Sequence, residues 1–381
     1  MRRQGGLFKA ASERASGHPL DSVGEGASVK RCTRCIMPDT VPGVTFDENG
    51  VCSLCRDYVA HVPLGEDAFM QVLAERGSSG GVYDCVVPLS GGRDSTYVLY
   101  LAKRVYGLNP LAVNFDNEFR NPQAVKNIEA ACRALDVDLR VVRSKTDLGT
   151  KIVRSNVKAA VPLGLGFIAS SFCRACAYGY HSAVWAEAQK HGIPLILWGA
   201  SSAESTTKIR QRALYGLPSK WNKVRDPEFY KTEYYSFLQR LELPVSGDSP
   251  FVRRRPSLRD PAIREIEVFD YIPWERAKIK ETIGGELGWE KPVGLATTWR
   301  TDCTLHEIVN YFFEKTVGCT VDCVGYCNMI NAGQMTRQEA LGQEEQALQT
   351  PWEYIERLLD EQVGLSKQEI ARVKAMQDAP R

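Results

Sequence analysis

The chain has 381 residues, 44% of them hydrophobic and 25% charged, and a formal net charge of +2. That composition is ordinary for a globular protein, and the near-neutral charge argues against a chain that coats nucleic acid. No stretch is long and apolar enough to span a membrane. Residues 1–29, polar and rich in Gly and Ser, read as a flexible tail and not as a secretory signal. A cytoplasmic location is expected. There the twelve cysteines stay reduced and need a metal, catalytic or packing explanation before a disulfide one.

Residues 30–62 read as a compact cysteine module, with short strands around turns at 43–47 and 50–52. Within it, Cys32-Thr-Arg-Cys35 and Cys52-Ser-Leu-Cys55 are two C-x-x-C pairs at a spacing suited to tetrahedral zinc. A site of four thiolates is coordinatively closed, so its role is structural.

A Gly/Ser break at 77–81 leads into an ATP-binding domain expected over 78–215. Residues 83–89 are a Val-rich buried strand, 95–106 a helix, 111–115 a strand, 122–135 a helix and 137–142 a strand. A helix over 175–191 and a strand over 194–198, ending at Gly199, follow. Strands alternating with helices predict an α/β fold, a Rossmann-like doubly wound parallel sheet. Residues 216–381 are expected to cover the substrate and to end in helices. Thr336-Arg-Gln-Glu339 and Ser366-Lys-Gln-Glu369 have capping-box spacing ahead of helix-forming runs. The dense basic run Arg253-Arg254-Arg255 reads as a solvated loop in preference to a phosphate patch.

Ser90-Gly91-Gly92-Arg93-Asp94-Ser95 stands between the buried strand and the helix. Glycines let a backbone approach a ligand, and N–H groups at a helix start attract an anion. The Ser90 and Ser95 hydroxyls add donors, and Arg93 adds a charge suited to phosphate oxygens. Asp94 is suited either to hold Mg²⁺ or to orient the loop.

This hexamer resembles the Ser-Gly-Gly-x-Asp-Ser motif of the PP-loop (HUP-type) ATPase superfamily. The resemblance implies cleavage of ATP between its α- and β-phosphates, adenylation of a carbonyl oxygen, and displacement of AMP by a nucleophile. Arg93 stands where that family usually has Lys. The resemblance also implies that Phe115 and Asp116 lie where such folds contact adenine, and that Gly199 lines the site.

The text around the first cysteines, Cys35-Ile-Met-Pro-Asp-Thr-Val-Pro-Gly43 and Phe46-Asp-Glu-Asn-Gly-Val-Cys52, resembles the N-acetyl sugar amidotransferase family. So does Ile330-Asn-Ala-Gly-Gln-Met-Thr-Arg-Gln-Glu-Ala340. Those proteins carry the same zinc-ribbon module ahead of the phosphate loop.

Cys173-Arg-Ala-Cys176, read as opening a helix, and the distant Cys303 instead resemble the PP-loop tRNA sulfurtransferases. In that group three cysteines hold a [4Fe–4S] cluster with an open iron site for sulfide. The plainer reading of Cys173 and Cys176 is packing at a helix start. Cys319, Cys323 and Cys327 recur every fourth residue, which places them on one helical face as core, or else as a second metal site or a sulfur relay. His181, His191 and His306 read as packed or solvated.

Two enzymatic readings result. The first is an ATP-dependent sulfurtransferase that makes a thioamide with Cys173, Cys176 and Cys303 as its sulfur site. Its cofactors would be ATP, Mg and Zn, with either a [4Fe–4S] cluster or a persulfide at the three cysteines. It would draw on a sulfur donor protein, and a small amide-containing substrate is favoured over tRNA. The second is an amidotransferase using ammonia from a glutaminase partner to form an acetamidino sugar. A non-catalytic nucleic-acid-binding module is a third reading, disfavoured by the intact loop. A homodimer is left open.

Overall fold

The structure is a computed structural model describing residues 29–41, 43–76, 81–143, 149–151, 153–154, 157, 165–201, 261–295, 297 and 300–377. Residues 1–28 of the expected tail over 1–29, and the basic run 253–255, lie outside the described residues.

Five parallel strands form one sheet in the order β3-β2-β1-β4-β5. They are β1 (Cys85–Pro88), β2 (Pro110–Asp116), β3 (Leu139–Arg143), β4 (Leu195–Trp198) and β5 (Arg264–Glu267). Cys85 pairs with Pro110, and Val86 pairs with both Leu111 and Ile196. All four residues of β4 are buried, as expected for a strand covered on both faces. The fold is therefore α/β and Rossmann-like. Strand order reverses between β1 and β4, and in such sheets that is where ligands settle, at the carboxyl ends of the strands.

Two short helices precede the sheet, α1 (Ser53–Arg56) and α2 (Glu66–Ala74). After β1 comes α3 (Arg93–Tyr100), which continues as a π-helical turn over Leu101–Val105. Next is α4 (Pro122–Leu135), with Pro at its start and the Asn121 side chain accepting from the Gln123 N–H. The long helix α5 (Leu165–His191) leads to β4.

Residues alternate between the two faces of the sheet. Val86, Leu111, Val113 and Ile196 pack with Val184, Trp185 and Ala188 of α5. Cys85, Val87, Ala112 and Leu197 join the larger core on the other side. Burying each such side chain stabilises the fold by roughly 1.5–3 kcal/mol.

The C-terminal part is helical: α6 (Arg276–Leu287), α7 (His306–Val317), α8 (Val321–Asn331), α9 (Arg337–Leu348), α10 (Trp352–Glu361) and α11 (Lys367–Gln377). The Ser366 capping box forms in full and the Thr336 box only in its N-cap half, the Glu339 carboxylate turning to Arg276. Thr336 Oγ1 accepts from the Glu339 N–H at 3.1 Å. Ser366 and Glu369 exchange bonds reciprocally, at 2.8 and 3.3 Å. No helix among the described residues is long and apolar enough to cross a membrane.

Four elements differ from the sequence reading. The expected strands at 43–47 and 50–52 reduce to the single bridge Phe46↔Cys52. Strand β5, Arg-Glu-Ile-Glu, was not anticipated, because at the sheet edge only Ile266 is fully buried and the apolar signal is one residue. Helix α5 begins at Leu165, ten residues before its expected start at 175. Cys173 and Cys176 therefore lie inside the helix, and its N-terminal dipole does not reach them.

Candidate functional site

Residues Ser90–Ser95 gather where β1 passes into α3. Gly91 has φ of 81°, and a Cβ there would lie 2.2 Å from the Ala124 carbonyl oxygen, so only glycine fits. Its own carbonyl accepts from Trp289 Nε1 at 3.0 Å and Asn127 Nδ2 at 3.4 Å. The Ser90 and Ser95 hydroxyls are 3.1 Å apart. Ser90 N donates to Ser95 Oγ, and Gly92 N donates to Ser90 Oγ, each at 3.2 Å. Gly199, at the end of β4, closes on the same point. A Cβ on it would stand 3.2 Å from the Asp94 carbonyl and 3.3 Å from Ser95 N.

Arg93 takes a different direction from the one expected for a phosphate ligand. It is only 2% exposed. Its Nε and Nη2 donate to Asp94 Oδ1 and Oδ2 at 2.9 and 3.0 Å. Its guanidinium lies 4.9 Å over the Trp274 ring, and Trp274 Nε1 donates to Asp94 Oδ1 at 3.0 Å. Through these bonds Asp94 ties the start of α3 to the segment before α6.

At the end of β2, Arg120 reaches back to Asn114 Oδ1 (2.9 Å) and Asp116 Oδ2 (2.8 Å). Arg143 adds a second pairing to Asp116 at 3.0 Å. Asp116 is thus a buried, doubly paired carboxylate that shapes the strand end. Phe115 packs against Gly179 of α5.

Just beyond β2, Asn117 joins the cysteines. Its Oδ1 accepts from the Phe119 N–H at 3.0 Å, which fixes the amide. Its Nδ2 then faces Cys176 Sγ at 3.8 Å and Cys303 Sγ at 3.9 Å. Two cysteines far apart in sequence therefore touch one amide nitrogen. Cys303 is held there by the antiparallel bridge Arg120↔Cys303 and by the bond from Asn121 N to Asp302 O at 2.9 Å. Cys173 lies one helical turn from Cys176, close enough that its charge acts on both other thiols.

All three are partly buried. Burial pushes the Cys176 thiol up to about 12, with Cys173 adding to the effect. Burial likewise raises Cys303, with Cys176 adding. Beside them, Glu118 has φ of 72°, in the left-handed region. Thr150 N and Oγ1 hold its carboxylate at 3.1 and 2.7 Å. A cavity of about 150 Å³ opens on Cys303 and is lined further by Asn121, Arg300, Glu307 and His306. His306, expected to be packed or solvated without a role, meets buried Asp322 at 2.7 Å on the same cavity.

The first four cysteines form a separate buried group. Cys32, Cys35, Cys52 and Cys55 place their sulfurs within 4.8 Å of one another. Cys32 and Cys55 are 3.9 Å apart, and Cys35 and Cys52 are 3.6 Å apart. Zinc–sulfur bonds of about 2.3 Å at tetrahedral angles require about 3.8 Å. Backbone N–H groups of Cys35, Met37 and Cys52 point at these sulfurs at 3.2–3.4 Å, and Asn331 Nδ2 points at Cys55 Sγ. Such donors stabilise thiolates. This four-cysteine group could hold zinc.

Sequence reasoning missed Asn117, Trp274 and Trp289, the side chains that aim the site. Single polar or aromatic residues outside a motif carry no spacing signal.

No protein-family model matches the chain. An uncharacterized protein of Methanocaldococcus jannaschii is 26% identical over 186 residues, covering 48% of this chain and 62% of that protein. The chain thus spans less than two thirds of the length of this relative.

Proposed function

We propose that the chain is an ATP-dependent, adenylating sulfurtransferase of the PP-loop type. The observation that carries this reading is the meeting of Cys176 and Cys303 at Asn117, with Cys173 one turn away. They meet at the carboxyl end of the strand beside the Ser90–Ser95 loop. A substrate carbonyl oxygen attacks the α-phosphate of ATP, and pyrophosphate leaves. Sulfur then attacks the activated carbon, and AMP leaves with the original oxygen. An amide oxygen is otherwise a very poor leaving group. Ser90, Ser95 and the N-terminus of α3 bind the phosphates. Arg93 acts through Asp94, by holding the start of that helix in place. Asp116 and Phe115 shape the nucleoside side of the crevice.

One feature favours a metal-held sulfur over a free thiol nucleophile. The Cys176 and Cys303 thiols are pushed up, which makes them poor nucleophiles unless a metal deprotonates them. A [4Fe–4S] cluster there would supply an iron site open to sulfur. Asn117 would donate to two of its thiolates, and the cavity beside Cys303 would take the acceptor.

The test is anaerobic turnover with ATP, sulfide or ammonia, and a panel of small amides. Sulfur in the product, iron in the protein, and loss of both in Cys176→Ala support the reading. An iron-free protein that incorporates nitrogen would move the assignment to the amidotransferase reading.

A further inference from the structure

Three cysteines and one carboxylate lie beneath the four-cysteine group with no part in the chemistry above. Helix α7 ends at Gly318 in the left-handed region, with φ of 78°. Cys319 follows outside any helix, and Thr320 caps α8 by accepting from the Cys323 N–H at 3.1 Å. The three cysteines therefore do not share one face of a single helix. The turn brings Cys319 back toward Cys323, in the first turn of α8.

Glu344 of α9 completes the group. Cys319 Sγ, Cys323 Sγ and a Glu344 oxygen all lie within 4.8 Å of one another. Cys319, Cys323 and Cys327 are 0% exposed, and Glu344 is 1% exposed. Thr320 clamps the carboxylate, its N–H to Oε1 at 2.9 Å and its hydroxyl to Oε2 at 2.5 Å. Each oxygen keeps a lone pair for another partner. The Cys327 thiol contacts both Cys323 and Cys35, so its sulfur sits between this group and the four-cysteine group.

We propose that Cys319, Cys323 and Glu344 form a second, buried structural site for a zinc-class divalent ion next to the four-cysteine site, with Cys327 bridging the two groups. A carboxylate taken wholly out of water is costly without a counter-charge, and a divalent ion supplies one. Two thiolates and one carboxylate, with ligand atoms all within 4.8 Å of one another, are ordinary donors for zinc. The spacing suits one ion and not a cluster. Full burial leaves no position for substrate. The site would fasten the end of α7, the start of α8 and the middle of α9 beneath the cysteine module, where Cys323 Sγ already lies 3.9 Å from the Ile36 carbonyl. The inference is independent of the adenylation reading.

The test uses the full chain, loaded with zinc, stripped of loose metal by brief chelation and desalted. Metal analysis should find about two zinc ions per chain in wild type, and about one in Glu344→Gln with an unchanged circular dichroism spectrum. Glu344→Gln keeps the shape and the acceptor for Thr320 N–H but removes the anionic ligand. Cobalt titration of wild type gives a readout that needs no variant: thiolate-to-cobalt absorbance should rise in two steps, the second absent from Cys319→Ser. One zinc in wild type, a single cobalt step, two zinc ions in Glu344→Gln, or a Cys319–Cys323 disulfide would overturn the proposal.

Discussion

Phe115 fills the space that a side chain on Gly179 would need: a Cβ there would lie 2.3 Å from two ring carbons of Phe115. Phe115 is two residues before Asn117 and Gly179 three residues after Cys176, so this contact sets α5 at the height where Cys176 meets the amide. Gly179→Ala should lower stability by roughly 1–3 kcal/mol through overpacking. Thermal unfolding should show a reduced Tm, largely recovered by adding Phe115→Leu. A neutral Gly179→Ala would remove the contact from the account.

The loop residues should separate into two classes. Ser95→Ala removes a hydroxyl that bonds only loop atoms, so it should suppress pyrophosphate release with about 1 kcal/mol of stability loss. Asp94→Ala also deprives buried Arg93 of its bidentate partner, and removing one member of a buried ion pair costs about 3–5 kcal/mol. Denaturation alongside pyrophosphate assays would show loss of activity alone in the first variant and loss of both in the second. An Asp94→Ala protein with wild-type Tm would contradict this division.

The alternation of strand and helix was legible because β1, β2 and β4 are buried on both faces and read as apolar runs. Helix α4 matches its expected bounds, 122–135, because Asn121 and Pro122 mark its start and its buried face is periodic. The group of Cys32, Cys35, Cys52 and Cys55 was legible from spacing alone. The inward turn of Arg93 was not, since it depends on Trp274, far later in the chain. Nor was Asn117, whose role exists only once Cys176 and Cys303 have come together. The start of α5 was missed because the long helix lacks a capping signal at its first turn.

Glu267, at the end of β5, accepts from the Ala200 N–H at 3.2 Å, and burial raises its pKa from 4.5 to about 7. Between those values the folded state binds more protons than the unfolded chain, so this group's contribution to stability falls as pH rises from 4.5 to 7 and the loss is complete above 7. Glu267→Gln should therefore stabilise the protein at pH ~8, on the order of 1 kcal/mol after discounting for partial exposure, and make no difference near pH ~4. Tm measured across that range checks the sign. A stabilisation confined to acid pH would refute it.

Cys35→Ser should reduce the yield of folded protein together with its zinc, because the binding energy of a structural ion is part of the folding energy. Arg337 extends the effect to the C-terminal helices, since its Nε donates to the Cys35 carbonyl at 2.8 Å. Hydrogen exchange in α9 should quicken along with that in the cysteine module. A zinc-free Cys35→Ser protein with native exchange and activity would be incompatible with a structural metal.

The central claim, cleavage of ATP between its α- and β-phosphates at the Ser90–Ser95 loop, is tested most directly by following α-labelled ATP with magnesium and the amide panel under anaerobic conditions. The account predicts labelled AMP with equimolar pyrophosphate, dependent on one member of the panel and absent in Ser95→Ala. Labelled ADP, or AMP formed equally well by Ser95→Ala, would contradict it.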